Sequence, residues 1–390
     1  MDDTARRTDL IIDVDAHVTE PGGLWSDRLP AKWRDRAPQM RRGDDGKDRW
    51  FVGDGAVMLT VGHTATAGWG APFPAAPPTF DEVPPAAHDA RARLDYLDSV
   101  GIWAQVLYPN VGGFGNQAFL ALDDPDLQLA CVQAYNDWLT EWCAADPARL
   151  LPVTAIPFWD VDASVAEVER CAALGHRGIL FTGEPQVFGL PLLGDRGWDP
   201  LWRVASETGN PISFHIGGGD FAAPFTAERM AAHGIAATYV KASVQLFLEN
   251  GVQILDLLLS GVLPRFPDAK FVSVESGIGF IPFLLEAADY AFGEAAMRRE
   301  RPEFTLLPSE YFHRQVYGCW FFEETALQRL VDKIGAANIL FETDYPHPIC
   351  LYGNVREKID AALAGQPPEL RRRLLWDNAA ALYGVADPPD

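Results

Sequence analysis

The stretch Ile11-Ile12-Asp13-Val14-Asp15-Ala16-His17-Val18 sets three ionisable residues into an otherwise apolar run. Its apolar, β-branched character predicts a strand. Strand side chains alternate between faces, so period two predicts Asp13, Asp15 and His17 on one face, pointing into a barrel. Polar groups buried there are costly unless something compensates them. A divalent metal does so, because a carboxylate and an imidazole two residues apart can both reach one ion at about 2.0–2.2 Å.

Seven further short β runs follow, over residues 103–108, 151–157, 178–182, 211–216, 270–275, 316–321 and 339–344. With 10–18 they make eight. Helical patterns lie between most of them, over 91–100, 125–145, 161–174, 200–208, 236–263, 281–292 and 323–334, and two more, 354–364 and 368–383, close the chain. Strands alternating with helices predict βαβ units, a parallel sheet and the α/β class. Eight units predict a closed (β/α)₈ TIM barrel. One segment, 20–90, breaks the alternation: it is rich in Gly, Pro and Trp, with a hairpin over 49–61 turning at Gly53-Asp54-Gly55. It follows the first strand, on the face where barrel loops build sites, so it is expected to be a cap within a single domain, 1–390.

The ends of the strands carry the chemistry. The fifth ends Phe214-His215-Ile216 and runs into Gly217-Gly218-Gly219, glycines expected to keep the rim open. The sixth offers Glu275, and the eighth ends Phe341-Glu342-Thr343-Asp344 before Tyr345-Pro346-His347. Asp15, His17, His215, Glu275 and Asp344 are thus expected at the C-terminal rim, where barrel enzymes work. His215 suits a third metal ligand, and Asp344 is placed to hold the metal or to take a proton from its water. Asp13, deeper in the barrel, is expected to orient a ligand, and His347 to touch a ligand or the substrate.

The other residues read as packing. His63, His88, His176 and His233 show no partner pattern, and Arg177 and Arg314 precede strands, at the wrong end for chemistry. The aromatic residues Trp25, Trp33, Trp50, Trp69, Phe73, Phe114, Phe221, Phe225 and Trp320 are expected mostly to pack, with some lining an aromatic pocket. Five scattered cysteines without a C-x-x-C pair are expected to be free thiols. The 390 residues are 48% hydrophobic, with 32 Lys and Arg against 54 Asp and Glu, a net charge of −22. Such a chain repels polyphosphate and anionic lipid, so nucleic-acid and membrane partners are not expected. The opening residues lack the apolar core of a secretory signal, and no run of about 18 apolar residues occurs, so a cytoplasmic protein is expected.

Ile12-Asp13-Val14-Asp15-Ala16-His17 resembles the opening motif of the amidohydrolase superfamily. The stretches Arg93-Leu94-Asp95-Tyr96-Leu97-Asp98, Ala134-Tyr135-Asn136-Asp137-Trp138, Phe266-Pro267-Asp268-Ala269-Lys270-Phe271 and Thr343-Asp344-Tyr345-Pro346-His347 narrow the resemblance to its amidohydrolase-2, or aminocarboxymuconate-semialdehyde-decarboxylase-like, branch. The resemblance implies a distorted barrel holding one divalent metal, Zn²⁺ or Mn²⁺, with Asp15, His17, His215 and Asp344 as its ligands. It also implies a small-molecule substrate and a homodimer. Two departures stand out. Asp15 replaces the first His of the usual H-x-H, a harder ligand that favours Mn²⁺. Glu275 replaces the sixth-strand His that usually helps to activate the metal-bound water.

Two reactions fit the same residues. The expected one is hydrolysis of a small aromatic or unsaturated substrate by metal-activated water, with Asp344 or Glu275 as general base. The alternative is non-oxidative decarboxylation of an aromatic or unsaturated carboxylate, with an acid protonating the ring carbon. A second alternative is an inactive barrel that binds a ligand.

Overall fold

The computed structural model describes residues 9–53, 56–220 and 223–388. Its strands are β1 (Ile12–His17), β2 (Gln39–Arg42), β3 (Asp48–Val52), β4 (Ala56–Thr60), β5 (Ala104–Tyr108), β6 (Leu150–Ala155), β7 (Gly178–Leu180), β8 (Ile212–His215), β9 (Phe271–Val274), β10 (Val316–Trp320) and β11 (Ile339–Phe341). β1 and β5 to β11 form one parallel sheet in chain order. A parallel bridge between Ala16 and Tyr345 joins its two ends. The His17 N–H donates to the Tyr345 carbonyl at 2.6 Å, and the Asp344 N–H to that of Asp15 at 3.0 Å. The eight strands are the TIM barrel, each within a few residues of its expected run.

Helices Ala90–Val100, Pro125–Cys143 and Val161–Ala173 start where the carboxylates of Asp89, Asp124 and Asp160 accept first-turn N–H groups. Two apolar layers result. Ile12, Val14, Val106, Tyr108, Val153, Leu180, Val272, Val274, Cys319 and Leu340 fill the barrel, and Trp376, Ala379 and Tyr383 of the last helical segment pack into the same cluster. The larger outer layer lies between strands and helices.

The helix Ile235–Ser260 is the one described segment long and apolar enough to cross a membrane. It is a barrel helix: Leu246, Asn250, Ile254 and Leu257 are buried, and Asn250 Nδ2 donates to the Phe214 carbonyl at 2.9 Å and to Ser273 Oγ at 2.8 Å. The segment 20–90 forms a short helix, Leu24–Arg28, and the antiparallel sheet β2-β3-β4. β3 and β4 are the two arms of the expected hairpin; its turn residues Asp54 and Gly55 lie outside the described residues. Among its described residues, Trp25, Trp50, Val52 and Val61 join the outer apolar layer of the barrel. All five cysteines are free; four are buried and Cys350 is partly so.

Candidate metal centre

β1 departs from the expected alternation. Its pairing with β5 shifts register between Asp13 and Ala16, a bulge that inserts one residue into the strand's frame. Ile12 and Val14 face the barrel interior and Ala16 and Val18 the outer layer, so Asp15 and His17 point inward while Asp13 points outward. The expectation of three ionisable groups on one face is corrected to two.

Asp13 is fully occupied. Its carboxylate accepts from Thr343 N at 2.8 Å, Thr343 Oγ1 at 2.5 Å, Gln105 Nε2 at 2.7 Å and Asp15 N at 3.2 Å. Burial pushes its pKa up to about 7. Gln105 Oε1 in turn accepts from the buried Arg93 Nη1 at 2.9 Å, and Arg93 Nη2 donates to the His17 carbonyl at 2.7 Å. Asp13 therefore holds the ligand strand to the residue beside Asp344, without reaching the interior.

Asp15 is the opposite case. Both of its oxygens are buried and neither receives a hydrogen bond. His17 Nε2 lies 3.4 Å and His215 Nε2 3.5 Å from its Oδ1. The Nδ1 atoms of the two imidazoles face backbone carbonyls, Pro109 at 3.1 Å and Ile216 at 2.9 Å, which fixes those nitrogens as donors. Their Nε2 atoms then meet at 3.2 Å. Two imidazole nitrogens and an unsatisfied carboxylate converging at that distance suit one cation, which would take the place of a proton held between the rings. The ligand atoms of Asp15, His17, His215 and Glu275 all lie within 4.8 Å of one another, and so do those of His17, Glu275, Asp344 and His347. The structure thus groups Asp15, His17 and His215 with Glu275, and joins Asp344 to them through His17 and Glu275, not as a fourth member of the expected set; one divalent metal ion is the cofactor such residues suit.

Glu275 and Asp344 each follow the end of a strand in the left-handed region, both at φ 59°. Side-chain-bearing residues rarely adopt it. Their carboxyls, and that of Glu342, are buried close together, and all three are pushed well above the ordinary carboxylate range, by burial first and by each other's charge or that of Asp15 second. Glu342, which the sequence reading passed over, accepts the Glu275 N–H at 3.0 Å. In His215 burial opposes the charges of Asp15 and Glu275, and the charges prevail, raising its pKa; in His17 burial and the neighbouring imidazoles lower it.

His347 lies 2.6 Å from Asp344 Oδ1 through Nδ1 and 2.8 Å from Asn110 Oδ1 through Nε2. Asn110 Nδ2 donates to the Val18 carbonyl at 3.0 Å, which turns its oxygen to His347 and makes Nε2 the protonated nitrogen. Burial pulls the His347 pKa down to about 3. A neutral ring protonated at Nε2 presents a lone pair at Nδ1, facing Asp344 Oδ1. Glu20 fixes this loop by accepting Asn110 N at 2.8 Å and Val111 N at 3.0 Å. Asn110 and Glu20 carry no motif that sequence reading could find; their roles come from contacts some 90 residues apart.

Phe114 stacks on His215, with centroids 4.6 Å apart and planes at 17°. The glycines after β8 serve this approach: a Cβ on Gly218 would stand 3.2 Å from the Phe114 carbonyl oxygen. They let a neighbouring loop close down on the rim, which corrects the expectation that they keep it open. Trp25, Trp50 and Trp320 are buried and pack in the outer layer; Phe221 lies outside the described residues. Phe73 of the segment 20–90 meets Tyr239 at 4.6 Å. His176 is buried between the hydroxyls of Thr140 and Thr154, at 2.9 and 3.2 Å.

An amidohydrolase family model (the second family of that name) matches residues 12–385. The chain is 26% identical to a gamma-resorcylate decarboxylase from Rhizobium radiobacter, over 65% of this chain and 76% of that protein. Among solved structures, an amidohydrolase from Mycobacterium avium subsp. paratuberculosis K-10 superposes with a TM-score of 0.73 at 24% identity, covering 97% of this chain and 100% of that one. A dihydroxybenzoic acid decarboxylase from Polaromonas sp. JS666, with bound manganese and the inhibitor 2-nitroresorcinol, gives a TM-score of 0.62 at 20% identity over 97% and 98% of the two chains.

Proposed function

We propose, for a chain that belongs to the amidohydrolase family over residues 12–385, the non-oxidative decarboxylation of a small aromatic carboxylate. The chain is an enzyme of the metal-dependent hydrolase or carboxy-lyase type. The hydrolase expectation is set aside in favour of its alternative. The observation that carries this reading is the buried cluster of Asp344, Glu275 and Glu342, whose carboxyls burial and neighbouring charge hold well above the ordinary carboxylate range. Hydrolysis calls for a base that removes a proton from water, whereas decarboxylation calls for an acid that gives one to carbon. The decarboxylase from Rhizobium radiobacter supports the same choice.

Asp15, His17, His215 and Asp344 are proposed to hold the metal, as the motif implies. A bound divalent ion would supply positive charge to the substrate carboxylate and an adjacent oxygen. In the reaction the bond between ring and carboxylate carbon breaks, its electron pair stays on the ring carbon, that carbon takes one proton, and CO₂ leaves. Asp344 is proposed as the proton donor, with His347 holding it in place. Glu275, close to both carboxylates, is proposed to pass Asp344 a fresh proton from water between turnovers, replacing the one left on the ring carbon. Asp13 keeps Asp15 and Asp344 in register.

The segment 20–90 is proposed to cap the site and carry selectivity, supported by the Phe73–Tyr239 contact and by Thr66 and Ala67, whose N–H groups donate to the Pro346 carbonyl at 3.0 and 3.1 Å. Slower hydrogen exchange there on ligand binding is the check. The homodimer implied by the family motif is kept as part of this reading; its mass in solution decides it.

The test is to load purified protein with Mn²⁺, supply a panel of hydroxybenzoates in D₂O, and follow CO₂ and deuterium at the ring. CO₂ with one deuterium at the vacated carbon is expected. Gain of one water by a substrate, without CO₂, would return the enzyme to hydrolysis.

A further inference from the structure

The metal-centred reaction leaves one group at the rim without a part. Phe114 sits on the loop after β5, half-buried, among three of the imidazoles. It lies face-on to His215 at 4.6 Å, and edge-on to His17 at 5.3 Å and to His347 at 5.8 Å. The loop is short of side chains, Gly112-Gly113-Phe114-Gly115, yet it is held firmly. Gln117 accepts the Gly115 N–H and donates to the Gly217 carbonyl, both at 2.9 Å. A Cβ on Gly115 would stand 3.2 Å from the Gly218 carbonyl oxygen, so the loops after β5 and β8 touch backbone to backbone. This clamp fixes one aromatic ring beside the nitrogen atoms that converge on the metal position.

We propose that Phe114 contacts the substrate and selects flat rings. The phenyl ring stands beside the His17 and His215 imidazoles, so a group bound at their Nε2 atoms would lie within reach of it. Aromatic rings stack or meet edge to face at centroid distances of about 4.5–7 Å. A saturated ring is thicker, with hydrogens on both faces, and gains nothing from the π surface. The residue thus favours a planar carboxylate by contact and disfavours its saturated counterpart by shape. The clamp through Gln117 and Gly217 keeps this wall from yielding. The inference rests on the aromatic-carboxylate reading above and names the residue that enforces it.

The test uses two acids that differ in the ring alone, 2-hydroxybenzoate and 2-hydroxycyclohexanecarboxylate, titrated calorimetrically into Mn²⁺-loaded full-length protein. The natural protein is expected to bind the flat acid more tightly. Phe114→Leu is expected to weaken the flat acid by about tenfold, the scale of one lost aromatic contact, and to leave the saturated acid and the metal content unchanged. Phe114→Tyr should keep the preference. If Phe114→Leu retains the preference, or loses metal instead, the assignment to Phe114 is overturned while the substrate class stands. If the natural protein binds neither acid, the substrate class falls and takes this inference with it.

Discussion

Asp13 and Asp15 stand two residues apart on one strand, both fully buried, and have opposite surroundings. Asp13 accepts four hydrogen bonds at the outer face of the barrel, and Asp15 accepts none at the inner face. The bulge between them sends one to each side. The difference shows what separates a structural carboxylate from a reactive one. Burial is equal, so the supply of donors decides. An unsatisfied buried carboxylate costs stability unless a cation arrives, whereas a satisfied one is a fastener.

Substitution should expose the contrast. The largest effect is expected from Asp15→Asn, which keeps the volume and removes the charge. Elemental analysis should find most of the metal lost and turnover with it, while the metal-free fold is at least as stable as the natural one, because a cluster of like charges has lost a member. Full metal occupancy would break the comparison. Next comes Glu275→Gln, which retains one acceptor and removes the titratable proton. Metal and fold should persist while turnover falls by roughly 10²-fold or more, the usual scale of general acid–base catalysis. Near-normal turnover would leave Asp344 as the sole proton-transfer group.

Asp13→Asn is the mirror of Asp15→Asn. It strands a buried donor of Thr343 or Gln105, at a cost of about 1–3 kcal/mol measured by urea denaturation, and should retain metal. A variant as stable as the natural chain would remove Asp13 from the fastening role. The last effect, smallest at neutral pH, is a pH dependence away from the site. Burial pulls the His176 pKa down to about 4 in the fold, against 6.5 for the unperturbed side chain. Between those values the unfolded chain binds more protons, so stability falls as pH falls from about 6.5 to 4 and is intact above. His176→Gln should flatten that part of the stability curve; an unchanged slope would exclude His176 as its source.

The eight strands and most helices were legible because each depends on local pattern, short apolar β runs alternating with longer helical ones. The D-x-H pair was legible for the same reason, and so were His215, Glu275 and Asp344 as polar groups at strand ends. The side on which Asp13 falls was not, because period two assumes an unbroken strand and nothing in Val14-Asp15 announces a bulge. Glu342 looked like one more residue of an exiting strand; its burial against Glu275 depends on how β9 and β11 flank β10. Phe114 was one aromatic among nine, and only the β5 and β8 loops meeting in space give it a place.

The seam between the first and last barrel strands has a consequence for how the protein comes into being. Thr343 bonds Asp13 across 330 residues of chain, and Asp344 pairs with the Asp15 carbonyl beside it. Contacts so distant in sequence form late, because a long loop must close before they repay its entropy. The candidate metal centre lies beside that seam, so Asp344 and His347 join Asp15, His17, His215 and Glu275 only once the eighth strand has left the ribosome and docked. The site is therefore completed last, and a ribosome-bound chain ending before Ile339 should acquire helices and most of the sheet while holding Mn²⁺ more weakly than the full chain.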